Sequence, residues 1–207
     1  GASIAACGGW DARKLAPLCA ALCRFRQSTD MILVVDHDPD WGKMFEKEAS
    51  RVCLALSDTV VQVHHIGSTA IAHTKAKPVI DMLLEVNLLE SLDQKSPSLE
   101  ALGYEVKGEF GIPGRRYFRL SDAAGRRTHQ IHAFEVGSQN VARHIAFRDY
   151  MRAHPSIAVE YGELKERLAR ASPNDMDAYI NGKDAFVKEH ERLALLWRSS
   201  ANERASA

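Results

Sequence analysis

The spacing of apolar positions changes several times along this chain, and each change marks an element. A small-residue opening, Gly1 to Gly9, leads into an Ala- and Leu-rich stretch from Asp11 to Arg26 with helical spacing, so residues 1–30 are expected to form a helical N-terminal extension. From Met31 the pattern shifts. Ile32 to Val35 is a short β-branched run that reads as a strand, Asp38-Pro39-Asp40 is a turn, and Trp41 to Leu56 is an amphipathic helix with acidic residues early.

Val60 to Ile66 alternates as a half-buried strand does, and Val79 to Val86 is the nearly continuous apolar run of a central strand, so the two predict a hairpin-like pair. Helical period returns over Leu88 to Leu102. Three further strands are expected at Tyr104 to Glu109, Arg116 to Leu120 and Thr128 to Glu135, separated by Gly111-Ile112-Pro113-Gly114 and by Ser121 to Gly125. After Ser138 the chain reads as helix throughout: Asn140 to Ala153, Ile157 to Arg170 following Pro155, and Asp175 to Trp197. The order predicts an α+β fold, a small mixed β-sheet flanked by helices with a helical C-terminal part. The domain is expected over 31–198, with 199–207 a disordered tail.

Composition narrows the function classes. With 207 residues and no Gly-, Pro- or Ser-rich linker in the middle, one compact domain accounts for the chain. Lys plus Arg and Asp plus Glu each total 27, so no overall field holds the protein on nucleic acid or an anionic membrane, and any such binding must come from a local patch. No apolar run approaches bilayer length. The four cysteines, Cys7, Cys19, Cys23 and Cys53, all fall in the first quarter without zinc-site spacing, which suggests thiols in a reducing compartment and a cytoplasmic protein.

The candidate chemistry begins at His64-His65-Ile66-Gly67-Ser68-Thr69-Ala70. A glycine directly after a strand lets the backbone approach a ligand, and the Ser68 and Thr69 hydroxyls beside it can join free N–H groups in holding phosphate oxygens, although such a dipeptide is also an ordinary turn. Lys75, Lys77 and Asp81 follow closely. Donors for phosphate and a carboxylate for magnesium are what nucleotidyl transfer needs. An ionised Asp81 among Val79, Ile80, Met82 and Leu83 requires a partner, and the alternatives are a metal ion or a salt bridge to Lys77 or an arginine. The hairpin around Gly111 to Arg119 carries Arg115, Arg116 and Arg119, backed by Arg126 and Arg127; Arg115, Arg119 and Arg127 could converge over one cleft as phosphate forks, or the hairpin could be a solvated charged surface. His129 and His132 share a strand, and His132 with His65 and Asp81 is a candidate metal set. His144 and Arg148 lie one turn apart on a helix, and Lys183 is a weaker phosphate candidate.

Taken together, Asp38-Pro39-Asp40-Trp41, His65 to Ala70, Lys77-Pro78-Val79-Ile80-Asp81, Gly111 to Phe118, Thr128-His129-x-x-His132 and His144-x-x-Phe147-Arg148-Asp149-Tyr150 resemble the GrpB family in this order, over about Val34 to Leu196. That family resembles the DNA polymerase beta-like nucleotidyltransferases, and related domains occur behind some bacterial dephospho-coenzyme A kinases. The resemblance implies a Gly-Ser turn and strand carboxylates around magnesium. The wider superfamily carries two acids one residue apart on this strand and a third on a later strand. Here Leu83 holds the second position, the later strand offers His129 and His132, and Glu85 lies roughly 13 Å from Asp81 along an extended strand.

The leading expectation is an enzyme of nucleotidyltransferase type with an incomplete carboxylate set. It would bind a nucleotide or other phosphorylated small molecule between the Gly67-Ser68 turn and the Arg115, Arg116 hairpin. Ser68, Thr69, Lys77 and Lys183 would contact phosphate, Asp81 would hold Mg2+, and Arg148 would stabilise the leaving group. A transition metal on His65, Asp81 and His132, serving hydrolysis or condensation, is the second expectation. A non-catalytic nucleotide- or coenzyme-binding module is the third. Small molecules rank above RNA or DNA, because the chain lacks a basic stripe interleaved with aromatics.

Overall fold

The computed structural model describes residues 31–206. The expected N-terminal helix therefore lies outside the described residues. Asp38 starts the first helix by accepting the Asp40 N–H on its side chain at 2.9 Å and the Trp41 N–H on its carbonyl. Helix α1 then runs Asp40–Leu56 and strand β1 spans Val60–Ile66. Strand β2 (Ile80–Val86), helix α2 (Leu89–Ala101), and strands β3 (Glu105–Val106), β4 (Arg116–Ser121) and β5 (Arg127–Glu135) complete the sheet region. Three helices follow: α3 (Gln139–Ala153), α4 (Pro155–Ala171) and α5 (Met176–Ser206).

The five strands form one sheet in the order β1-β2-β5-β4-β3, with β2 and β5 parallel and the other pairs antiparallel. The fold is thus the expected α+β arrangement, with β2 next to the sheet centre as its apolar run requires. One face is the main core. Ile80, Met82, Leu84, Ile131 and Phe118 pack there against Trp41, Val52 and Leu56 of α1 and Leu92 and Leu99 of α2. Within it, buried Glu48 accepts from the Tyr104 hydroxyl at 3.0 Å and from Arg51 at 2.7 Å, which offsets the cost of its desolvation. On the other face Ile66, Leu83 and Phe134 meet Val141 of α3.

Two expected strands are shorter than their patterns suggest. Ile32 to Val35 contributes only a single bridge, Val35 to Ala76, and Tyr104 to Glu109 contracts to Glu105–Val106 at the sheet edge. Neither is held on both sides by a ladder, so local β propensity alone does not sustain pairing. Ser138 caps α3 by accepting the Asn140 N–H, and Pro155 opens α4, where its missing N–H costs nothing. The helical backbone of α5 runs on to Ser206, past Trp197, where the periodicity alone ends it. Among the described residues no helix is long and apolar enough to cross a membrane.

Candidate functional site

Strand β1 ends at Gly67, whose φ of +67° lies in the left-handed region, and the turn Ser68–Ala70 follows. The position is closed to other residues for two reasons: the φ itself, and the close approach of Asp81, whose Oδ2 would stand 2.3 Å from a Cβ there. Register causes the approach, because Ile66 pairs with Asp81 across β1 and β2. The other carboxylate oxygen, Oδ1, accepts from Gln130 Nε2 at 2.8 Å, and Gln130 is the β5 residue in register with Asp81. Gln130 Oε1 accepts in turn from the Tyr117 hydroxyl and from Arg127 at 3.4 Å, while Arg119 Nε donates to the Tyr117 oxygen at 3.2 Å. Donors on Oε1 fix which end of the amide faces Asp81.

A cavity of about 240 Å³ opens beside this carboxylate. The sheet side supplies Ser68, Thr69, Lys77, Asp81, Arg127 and Gln130; α4 supplies Lys165, and α5 supplies Tyr179 and Lys183. Helix α4 reaches the turn because Gly162 lets it sit against the Thr74-Lys75 backbone, where a Cβ would lie 2.6 Å from the Lys75 nitrogen. One turn further, Lys165 is only 2% exposed, donates from Nζ to Ser68 Oγ at 2.7 Å, and lies 4.1 Å from the centre of the Tyr161 ring. Burial, and then the Lys183 charge, push the Lys165 pKa down to about 6 against the opposing pull of Asp81. Burial lowers the pKa of Lys183 as well, again opposed by Asp81, and raises the Tyr179 phenol to about 12.

Of the residues expected from sequence, Gly67, Ser68, Thr69, Lys77, Asp81 and Lys183 gather around this cavity. The others are placed elsewhere, and strand parity explains most of it. Arg116 pairs with Ala133 and so points to the main-core face, where it forks onto Asp93 of α2 at 2.6 and 2.7 Å. Arg115 is buried and holds the loop before it, donating to the Glu109 carbonyl at 3.1 Å and the Phe110 carbonyl at 2.6 Å. Arg148 donates to the His65 carbonyl at 3.1 Å and to Asp149, which makes it a brace for the Gly67 turn; Arg152 does the same through the Ala70 carbonyl.

The expected set of His65, Asp81 and His132 is not assembled. His65 pairs with Met82 rather than Asp81, so it faces α1, where it stacks on Phe45 at 4.7 Å and bonds Thr69 Oγ1 at 3.0 Å. Burial takes its pKa down to about 4. His132 Nε2 stands 3.8 Å from Asp81 Oδ1, with Nδ1 toward Arg115. Among the described residues no three His, Cys, Asp or Glu side chains are grouped to hold a metal ion. Leu83 is fully buried, Glu85 is taken by His64 at 2.6 Å, and Gln130 stands opposite Asp81. Such a donor set builds no resident two-metal centre.

Sequence reasoning missed Lys165 and Gln130. Lys165 carries a signal in hindsight, since it interrupts the buried stripe Ala158, Tyr161, Gly162, Ala169 of an amphipathic helix. Gln130 was masked by the histidines on either side of it.

The order of elements and the Gly-Ser turn over a strand carboxylate define an α+β protein of nucleotidyltransferase-like fold. A solved non-canonical poly(A) polymerase complex, GLD-2 with GLD-3, superposes on it with a TM-score of 0.50 at 12% identity, over 69% of this chain and 49% of that chain. A family model described as GrpB protein matches residues 31–192, and the chain belongs to the GrpB family. Conserved protein GrpB from Enterococcus faecalis has a crystal structure that matches with a TM-score of 0.76 and 41% identity, over 80% of this chain and 99% of that one. UPF0157 protein YqkA of Bacillus subtilis is 42% identical over 169 residues, 82% of this chain; the chain spans about half, 49%, of that relative's length.

Proposed function

We propose that the cavity binds the phosphates of a nucleotide or similar phosphorylated small molecule, and that Asp81 holds the Mg2+ such a ligand carries. Lys165 supports this reading most strongly: a buried lysine bonded to a hydroxyl instead of a carboxylate, at the wall of a cavity shared with Lys77, Lys183 and Arg127. An uncompensated buried amine is costly, and an anion entering the cavity offsets that cost. Ser68 and the turn amides orient the phosphates, while Lys165 and Lys183 neutralise them. The metal supplies charge neutralisation on phosphate oxygens. The cysteine distribution supports a cytoplasmic setting.

Calorimetric titration with the four nucleoside triphosphates, with and without Mg2+, tests the reading. Micromolar to millimolar binding is expected, with Lys165→Met weakening it by about tenfold or more. Absence of binding to every triphosphate in both conditions overturns it.

A second reading, a nucleotide-binding module without transfer chemistry, is favoured by one observation: among the described residues, Leu83 and Gln130 leave Asp81 as the only carboxylate lining the cavity. Asp81→Asn distinguishes the two. A variant that keeps ligand affinity, in a protein that forms no product, supports the module.

A further inference from the structure

Beside Asp81, on the same face of the sheet, lies a second surface that meets the phosphate cavity at Arg127 and Gln130. Phe110 is 54% exposed and has a φ of +44°, a conformation costly for a residue with a large side chain. Arg115 holds it there through the Phe110 carbonyl, and Glu109 closes the loop by accepting the Gly114 N–H at 2.7 Å. The Phe110 ring stacks on Tyr117 with centroids 5.3 Å apart. Arg119 lies over both rings, 4.6 Å from the centre of Phe110 and 5.1 Å from that of Tyr117. Among the described residues neither Arg119 nor Arg127 forms an ion pair within 4.0 Å, although both charges help Lys107 lower the pKa of Glu105, the strand neighbour of Arg119; Arg119 bonds the Tyr117 phenol and Arg127 the Gln130 amide. A strained turn thus keeps an aromatic ring in solvent beside the Arg119 guanidinium, and Tyr117 and Gln130 link that platform to the Asp81 carboxylate.

An exposed ring accepts a planar heterocycle by stacking, and a neighbouring guanidinium accepts a phosphate. One ligand class carries both groups. We propose that Phe110 and Arg119 form a second ligand subsite that takes a nucleotide, its base stacked on Phe110 and its phosphate on the Arg119 guanidinium. This assignment extends the phosphate-binding reading of the cavity by adding the place where a second reactant sits, yet it stands on different residues. The net charge of zero and the small size of the platform favour a single nucleotide unit over a long strand.

The test is titration of adenosine 5′-monophosphate into the wild type, Phe110→Ala, Arg119→Gln and the cavity variant Lys165→Met. Circular dichroism and thermal melting confirm that each is folded. Nucleotide binding that survives in Lys165→Met and weakens by about tenfold or more in Phe110→Ala and Arg119→Gln is the expected result. Phe110→Leu, which keeps the apolar contact and loses the aromatic face, should fall between. Binding that persists in Phe110→Ala and disappears in Lys165→Met places the nucleotide in the cavity and overturns the proposal, as does absence of binding to the wild type. If triphosphates fail to bind the cavity while the Phe110-dependent signal remains, the phosphate-binding reading fails alone. A single-stranded hexanucleotide, titrated in parallel, tells a free nucleotide from a strand end: tighter binding that still depends on Phe110 supports the strand end as occupant of the same subsite, and equal or weaker binding supports the free nucleotide.

Discussion

The Lys165 ammonium position and the Ser68 hydroxyl are 2.7 Å apart, although they come from a C-terminal helix and from the turn that leads toward the sheet centre. This bond ties α4 to the turn beside Asp81, and it puts an ionisable amine at the wall of the cavity.

Protonation of Lys165 is therefore coupled to both folding and binding. Its folded-state pKa of about 6 lies below that of a lysine in the unfolded chain, so the unfolded state binds more protons across the interval between them. Stability rises with pH through that window, and the penalty is fully present below its lower edge. Lys165→Met removes the penalty and should stabilise the protein at neutral pH by about 1–3 kcal/mol, with the gain shrinking toward strongly alkaline pH. Urea melts of both proteins across that range measure it. An anion in the cavity restores the charged amine, so triphosphate binding at mildly alkaline pH should take up a proton. Calorimetry in buffers of different ionisation enthalpy detects the uptake in the wild type, and Lys165→Met should lack it.

Gly67→Ala carries two penalties, a left-handed φ and a collision with the Asp81 carboxylate. A loss of about 1–3 kcal/mol in chemical denaturation is expected. Ligand affinity should drop as well, because the carboxylate must move to admit the methyl group.

Gln130→Glu reverses the charge economy of the site. It replaces the donor that holds Asp81 Oδ1 with a second acid at hydrogen-bond range, so Mg2+ affinity should increase by about tenfold. Direct Mg2+ calorimetry reads the effect. Unchanged Mg2+ affinity would count against Asp81 as the metal-holding group.

Arg116→Ala offers the contrast. Its fork to Asp93 lies on the far face of the sheet and partly in solvent, so about 0.5–1 kcal/mol of stability and no ligand affinity should be lost.

How much of this was legible in the sequence follows from how local each feature is. Gly67, Ser68 and Asp81 could be placed because a strand, a turn and a strand follow one another with little intervening chain. Arg116 was misplaced by one step of strand parity: it was grouped with Arg115 because the two are adjacent, although adjacent strand residues point to opposite faces. Gln130 depends on the parallel register of β2 with β5, strands joined through α2, β3 and β4, and no local pattern sets that register. Lys165 lies far along the chain from the turn it serves. Only its interruption of a buried helical stripe betrayed it.

Leu83 carries the last consequence. It fills the space where Ile66, Phe134 and Val141 meet, and an aspartate there would give up that apolar contact, with the imidazoles of His64 and His132, in register on the two neighbouring strands, as its nearest polar partners. A polar side chain at 83 would therefore be felt at a distance: loosening α3 loosens the Arg148 and Arg152 braces, and with them the Gly67 turn, so one apolar contact beneath the sheet holds the cavity's rim in place.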